Sequence, residues 1–543
     1  MQEQSQQRNP VNPVNPVNPV NPVIKKIKAY LGYQGYSIFK DTLTVEEQHA
    51  LRKELTVGAY IPKSPIQPTP FPIYRESPLK LYVPRYFGLE KWAGIQVESK
   101  ITPGHAISLK FMGDLRDYQQ VIVEKYLKAA RNSGIGGAAI GGGGLLDVDP
   151  GKGKTVMALK IIESLATKTL VVVHKSFLSN QWKERIEQFL PGARVGIIQG
   201  QLIDIDNKDI VIAMVQSLSM KEYPQSTFES FGLTIFDECH HMGAEVFSRC
   251  MMKVTTTYTL GLSGTMQRKD GLSKVFKMFL GDVVHKEKAE SDHCVLVKGI
   301  NYVVNDDEFN EVEYDYRGNP KFSTMISKLC NYNRRSEFIV EVVTKELQYN
   351  ADQQIMILAH NKSLIQYLFK AIEHRKIATV GYYLGGMKEA DLKASESKKI
   401  IIATYAMASE GLDIKTLTTL IMATPKTDVC QSVGRILRVK HTTPIVIDII
   451  DAHDLFKNQW QKRKSYYKKQ NYRIIVTDSG LYHSNEKNGC WTTAYNPKKI
   501  KGLSAVVATG VSSDDDDDDE ETGALTKYNS NRKQPILSGK CFL

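Results

Sequence analysis

No two of the seven cysteines in this 543-residue chain stand in a Cys-x-x-Cys spacing, and their number is odd. That excludes a disulfide-stapled scaffold and the usual zinc spacings, and it predicts a reducing, intracellular home. No apolar run approaches the ~18 residues of a membrane span, and no secretory leader is visible. A membrane is therefore not an expected partner. Acidic charge is in the minority: 71 Lys and Arg stand against 59 Asp and Glu, a net +12 with a pI of about 9.0. Such a balance suits either an anionic partner or a plainly solvated basic surface. What the chain does have is apolar content, 42% of its residues, which is enough to bury several cores.

Residues 9–23 are five copies of Asn-Pro-Val. A proline at every third position blocks helix and ladder hydrogen bonds, which predicts a disordered or extended arm over 1–23. Residues 24–108 read as an N-terminal accessory domain, with a helical pattern at 44–55 and an aromatic, basic segment at 80–92. That segment can stack bases and pair phosphates, or it can form the apolar face of a small domain. Further on, short apolar runs alternate with helical patterns. The runs fall at 145–148, 169–174, 209–214, 233–236 and 258–262. A mixed stretch at 286–340 reads as a linker or insert. The alternation then resumes with runs at 354–359, 379–384, 399–404, 418–423 and 445–450. Near-continuous apolar strands between helices signify buried parallel sheets. The expected fold class is α/β, with two tandem domains at 109–285 and 341–484. The tail, 485–543, is basic and then acidic, with eight consecutive acids at 514–521. Such a block repels itself, which predicts a mostly disordered segment.

The residues with chemistry cluster at the ends of the apolar runs. Residues 148–155 read Val148, Asp149, Pro150, Gly151, Lys152, Gly153, Lys154, Thr155. A strand, a glycine turn and a helix start are what a phosphate cradle needs, because backbone N–H groups and the helix N-terminus converge there. Lys154 would reach the β- and γ-phosphates and the Thr155 hydroxyl would hold Mg²⁺. Upstream, Arg116 and Gln119 sit in Leu-Arg-Asp-Tyr-Gln at a helix start, and the Gln119 amide can bond two edges of an adenine. The run at 233–236 delivers Asp237, Glu238, Cys239 and His240. Asp237 would complete the metal site with Thr155, and Glu238 would orient the attacking water. Ser263, Gly264 and Thr265 end the next run and can relay the state of those acids. In the second half, Gln431, Arg435 and Arg438 stand in Gln-x-x-Gly-Arg-x-x-Arg. Arg435 and Arg438 would share a helix face and pair a triphosphate. A basic run with aromatics at 462–473 reads as a solvated helix face or as an extension of a nucleic-acid track.

The ordered set resembles the superfamily 2 helicases, the DEAD/DEAH-like motor ATPases. The matching pieces are 115–119, 151–155, 171–182, 216–218, 237–240, 263–265, 409–414 and 431–438. Their details look most like the helicases of large DNA viruses and of the type III restriction-like branch. Val148 for a glycine, and Cys239 and Gly264 for alanines, depart from the usual pattern. The resemblance implies two RecA-like P-loop domains with ATP and Mg²⁺ between them and nucleic acid across their tops. It implies that 175–182 and 404–411 face phosphates, and that Gly411 and Asp413 help couple the two events. Branch resemblance favours DNA, with RNA as the alternative. A scaffold with a motor fold and a restriction-like motor subunit are the competing classes. If the chain is viral, host cytoplasm or nucleus, and the virion, are its expected locations. Its tails are the expected docking points for transcription or replication proteins.

Overall fold

A computed structural model describes residues 27–61, 66–131, 141–149, 151–242, 244–264, 270–286, 294–409, 414–437, 441–483 and 491–497. The Asn-Pro-Val arm and the acidic run lie outside them.

The strands of the first α/β half form where β-branched and aliphatic residues follow one another. Thr169–Val173 reads TLVVV and Ile210–Met214 reads IVIAM, and nearly every position is buried. Continuous burial means that both sheet faces are covered, as parallel sheets require. Eight strands line up in the order Leu202–Asp204, Val195–Gln199, Ile210–Met214, Thr169–Val173, Leu233–Phe236, Tyr258–Ser263, Gly143–Asp147 and Val283–Lys286. All neighbours pair in parallel except the outermost, Leu202–Asp204. The second half repeats the plan with Val380–Tyr383, Ile400–Thr404, Gln354–Ala359, Leu417–Met422, Ile445–Asp451, Leu296–Tyr302, Arg473–Asp478 and Thr492–Tyr495. Only the last pair is antiparallel. The fold class is thus the expected one, two tandem parallel-sheet domains.

Two expected boundaries need correction. The stretch 286–340 is not a linker throughout, because Leu296–Tyr302 pairs between Ile445–Asp451 and Arg473–Asp478 inside the second sheet. Lys298 and Gly299 hide it from a reading of apolar runs. The Lys298 ammonium is satisfied by both oxygens of Glu346, at 2.7 and 2.9 Å. Gly299 is closely packed, since a β-carbon there would stand 3.1 Å from both Trp460 and Ile450. The tail also joins the fold, through Thr492–Tyr495.

The small N-terminal sheet runs Arg75–Glu76, Lys80–Val83, Gly35–Phe39, Ala29–Gly32 and Glu98–Ser99. Its helix Val45–Glu54 starts with a capping box between Thr44 and Glu47, which satisfies two N-terminal donors. The aromatic, basic segment at 80–92 supplies a strand and the helix Arg85–Lys91, with Leu81, Val83 and Phe87 in the core. Its charge is used internally. Arg85 is buried and donates to the carbonyls of Thr256, Thr257 and Gly141 at 2.9–3.1 Å. Thr256 and Thr257 precede the strand Tyr258–Ser263, so this domain docks at the amino edge of the first sheet.

Candidate active site

The phosphate-loop candidate follows Gly143–Asp147 and ends at the helix Lys154–Leu165. Gly151 and Gly153 have φ of +86° and +80°, a region that disfavours any side chain. A β-carbon on Gly153 would also lie 2.4 Å from Gln119 Nε2. Gly153 is the N-cap, and no side chain caps the helix or places an acid in its first turn. The helix N-terminus is thus open to an anion. Val148 needs no glycine: its side chain is fully buried in the core, and its N–H donates to the Ser263 carbonyl at 2.9 Å. Pro150 lies outside the described residues, and Asp149 and Lys152 flank the turn.

Gln119 is placed against this loop. It accepts from the Arg116 N–H at 3.0 Å and donates to the Lys152 carbonyl at 2.9 Å. The Tyr118 hydroxyl donates to the same carbonyl at 3.0 Å. The buried Gln119 amide therefore braces the loop, a use that its reading as an adenine donor–acceptor did not include.

The acids arrive from the next strand but one. Lys154 Nζ lies 2.7 Å from Glu238 Oε1, with the lysine almost wholly buried. Glu238 holds φ +46°, ψ +46°, a strained setting for a non-glycine residue. Burial, then the neighbouring Glu238 charge, pushes the Asp237 pKa up from 3.8 to about 6. The Trp182 indole N–H works against that shift, donating to Asp237 Oδ2 at 2.8 Å. The resemblance had Trp182 facing phosphates; it faces this carboxylate instead. The helix Ser176–Phe189 buries Leu178, Trp182 and Ile186 at four-residue spacing. That spacing was the available signal, because a buried indole needs an acceptor.

His240 is the junction of the site. Its Nδ1 lies 2.9 Å from Ser263 Oγ and 3.3 Å from Glu238 Oε2. Its Nε2 lies 3.2 Å from Gln431 Nε2 of the second half. Cys239 is wholly buried beneath, a small apolar filler. Gly264 is buried, and Thr265, Gly411 and Asp413 lie outside the described residues. Thr155 sits in the first helical turn beside Lys154.

The second half departs from expectation at 431–438. The helix there is only Cys430–Val433. Arg435 and Ile436 then donate to Ser432 and Val433, three residues back, so the chain tightens into a turn after Gly434. Arg435 is buried, with Nε donating to the Ala408 carbonyl at 2.6 Å. Arg438 lies outside the described residues, and the expected pairing of Arg435 and Arg438 lies there with it. The two halves also meet where Asn180 donates to Glu389 at 2.8 Å and where Lys393 pairs with Glu184 at 3.1 Å. The basic run at 462–473 is divided: Arg463 and Tyr467 are buried, while Lys462, Lys468 and Lys469 are exposed.

Residues 112–268 match the family described as "Type III restriction enzyme, res subunit". The "Putative ATP-dependent RNA helicase L396" of Acanthamoeba polyphaga mimivirus is 36% identical over 447 residues, covering 80% of this chain and 83% of that protein. "Putative helicase 161L" of Invertebrate iridescent virus 6 is 29% identical over 395 residues, covering 68% of this chain and 85% of that protein. Among solved structures, S. cerevisiae Dbp5 bound to RNA and ADP BeF3 covers 67% of this chain and 91% of its own, at 13% identity and a TM-score of 0.48.

Proposed function

The chain belongs to the superfamily 2 helicases, and from that premise we propose how its site works and on what. It is an ATP-dependent helicase, an enzyme that hydrolyses ATP and acts on nucleic acid. Among the described residues no helix is long and apolar enough to cross a membrane.

The observation that carries the site assignment is the Lys154–Glu238 ion pair at 2.7 Å beside a glycine cradle. A triphosphate entering that cradle meets the open N–H groups of the Lys154–Leu165 helix and the Lys154 ammonium. Lys154 then exchanges its carboxylate partner for phosphate oxygens, which releases Glu238 to accept a proton from water. Thr155 and Asp237 fit Mg²⁺: they offer a hydroxyl and a carboxylate, oxygen donors of the type that this cation prefers. Burying Asp237 beside Glu238 is unfavourable for two charges alone, and a divalent cation offsets that. When bound, Mg²⁺ neutralises charge on the transferring phosphoryl group. Trp182 orients the Asp237 carboxylate throughout. Gln431 and Arg435, carried on the other half, complete the site where the halves meet. Nucleic acid lying across both halves favours that contact and so raises turnover.

The branch resemblance favours DNA, whereas the name of the mimivirus relative favours RNA. The proposed setting is a reducing intracellular one, in viral transcription, replication or repair. The test is steady-state ATP turnover with duplex DNA, single-stranded DNA, duplex RNA and no polymer. One polymer should stimulate turnover, Lys154→Ala should abolish it, and Glu238→Gln should bind ATP but turn it over slowly. Wild-type turnover by Glu238→Gln would reject the assignment of the water-orienting residue.

A further inference from the structure

Between the strand Leu296–Tyr302 and the helix Phe322–Asn331 the chain makes a tight hairpin that none of the motifs uses. Tyr314 pairs across it with Pro320 in an isolated antiparallel bridge. Asp315 N–H donates to the Asn319 carbonyl at 2.8 Å, and Lys321 N–H to the Glu313 carbonyl at 2.8 Å. The Asp315 carboxylate accepts the N–H groups of Arg317 and Asn319, both at 2.9 Å. These bonds, the Asn319 N–H foremost, hold its pKa below the usual carboxylate value. Gly318 takes φ +76°, which closes the turn. The base is anchored as well, since Lys328 Nζ donates to the carbonyls of Glu308 and Glu311 at 2.7 and 3.0 Å.

This scaffold presents an aromatic ring to solvent. Tyr316 is 87% exposed, the most exposed large apolar side chain among the described residues. The Arg317 guanidinium lies over its ring, 4.9 Å from the centroid. A tyrosine held on a backbone this heavily bonded gives up little entropy when a flat partner stacks on it. An arginine beside it adds a cation for a phosphate.

The position narrows the partner. Leu296–Tyr302 runs parallel to its neighbours, so the hairpin rises from the carboxyl edge of the second sheet. Phe322, at its foot, packs edge-on against His360, with centroids 6.3 Å apart. His360 is the first residue beyond the central strand Gln354–Ala359. The same edge sends out the segment that carries Gln431 to His240. A rigid aromatic–cation pair at this edge of a basic protein fits an unpaired base and its phosphate better than it fits an apolar protein surface.

We infer that Tyr316 and Arg317 form a base-stacking site for single-stranded nucleic acid at the carboxyl edge of the second domain. The inference rests on the nucleic-acid reading given above. Tyr316 supplies the stacking face and Arg317 pairs the adjoining phosphate.

The test uses the full chain with labelled single strands of roughly 20 nucleotides, one DNA and one RNA, read by fluorescence anisotropy at fixed salt. Tyr316→Ala should weaken binding of at least one strand about tenfold, the scale of one lost base stack. Tyr316→Phe should restore it, because the ring and not the hydroxyl does the stacking. Abasic sites walked along the strand should weaken wild-type binding at one position and leave Tyr316→Ala indifferent there. Thermal melting of the variants, unchanged, separates lost stacking from lost fold. Wild-type binding of both strands with equal affinity in Tyr316→Ala would overturn the stacking site and leave the helicase reading standing. A wild-type protein that binds neither strand would overturn the parent reading and this one with it.

Discussion

Gln431 Nε2 stands 3.2 Å from His240 Nε2, across the boundary between the two α/β halves. With the Gln431 amide nitrogen donating to Nε2, the tautomer that fits His240 carries its proton on Nδ1. Nδ1 lies 2.9 Å from Ser263 Oγ and 3.3 Å from Glu238 Oε2. Ser263 in turn receives the Val148 N–H on its carbonyl. One histidine thus links the second half to both Ser263, which braces Val148, and Glu238.

Gln431→Ala breaks this line without touching the cradle. Polymer-stimulated turnover should fall roughly tenfold, within the usual range of coupling energies, while ATP-analogue affinity changes little. A cycle of Gln431→Ala, His240→Ala and the double variant should be non-additive. Strict additivity in stimulated turnover would mean that the two residues act independently.

Trp182 and Asp237 give a pH prediction. Asp237 has its pKa raised from 3.8 to about 6 by burial and by Glu238. In the metal-free protein its contribution to stability is therefore full below about pH 3.8 and is lost as pH rises through about 6. Metal binding has the opposite sign, since it needs the carboxylate and weakens as pH falls through about 6. The Trp182 N–H favours the ionised form, so Trp182→Phe should raise that midpoint. Mg²⁺-dependent binding of a fluorescent ATP analogue between about pH 5.5 and 8 reads it. An unmoved midpoint would show that the indole bond does not tune Asp237.

Among the described residues of the second half, Arg335–Asp451 and Arg463–Asp448 are fully buried ion pairs. Both arginines also hold the loop that leads to Gln431, through the carbonyls of Ala423 and Lys426 at 2.8 Å. Arg335→Met leaves a buried carboxylate without its partner and should cost about 3–5 kcal/mol in denaturant unfolding. Adding Asp451→Leu should recover most of that. A double variant as unstable as the single one would mean that the Ala423 contact, not the ion pair, supplies the stability.

The sequence exposed what local chemistry controls. Runs such as 233–236 and 354–359 are strands end to end because a strand buried on both faces leaves no polar position to blur its limits. The glycine turn before Lys154 was legible because Gly151 and Gly153 are required by the backbone itself. What escaped notice depends on long-range partners. Leu296–Tyr302 looks too polar for a central strand until Glu346 arrives to neutralise Lys298. Trp182 shows its role only when its helix is laid against Asp237. Arg85, in a segment that reads as basic, is consumed by three carbonyls over 50 residues or more away. The helix Cys430–Val433 ends there because the bonding tightens to three-residue steps at Arg435 and Ile436.

Arg435 carries the last prediction. Its Nε is held by the Ala408 carbonyl, at the end of the segment Tyr405–Ser409, and the side chain is buried. It therefore comes to the cleft already oriented, on a domain separate from Lys154 and Glu238. A guanidinium has further donors in the same plane, so one side chain can hold the carbonyl and still meet a γ-phosphate when the cleft shuts. A built β-carbon on Gly151 would stand 3.8 Å from the Gly434 carbonyl, so the two halves are near enough for that reach. Arginines delivered in this way stabilise the transition state by ~10³–10⁵ in rate. Arg435→Ala should therefore reduce polymer-stimulated turnover by about a thousandfold, with a much smaller change in ATP affinity. Arg435→Lys should not rescue it, because an ammonium cannot bridge the carbonyl and the phosphate in one plane. Steady-state turnover and fluorescent-analogue binding, each with and without polymer, give both quantities. If Arg435→Ala keeps its stimulated turnover, hydrolysis does not draw on this arginine and the closing mechanism loses its trigger.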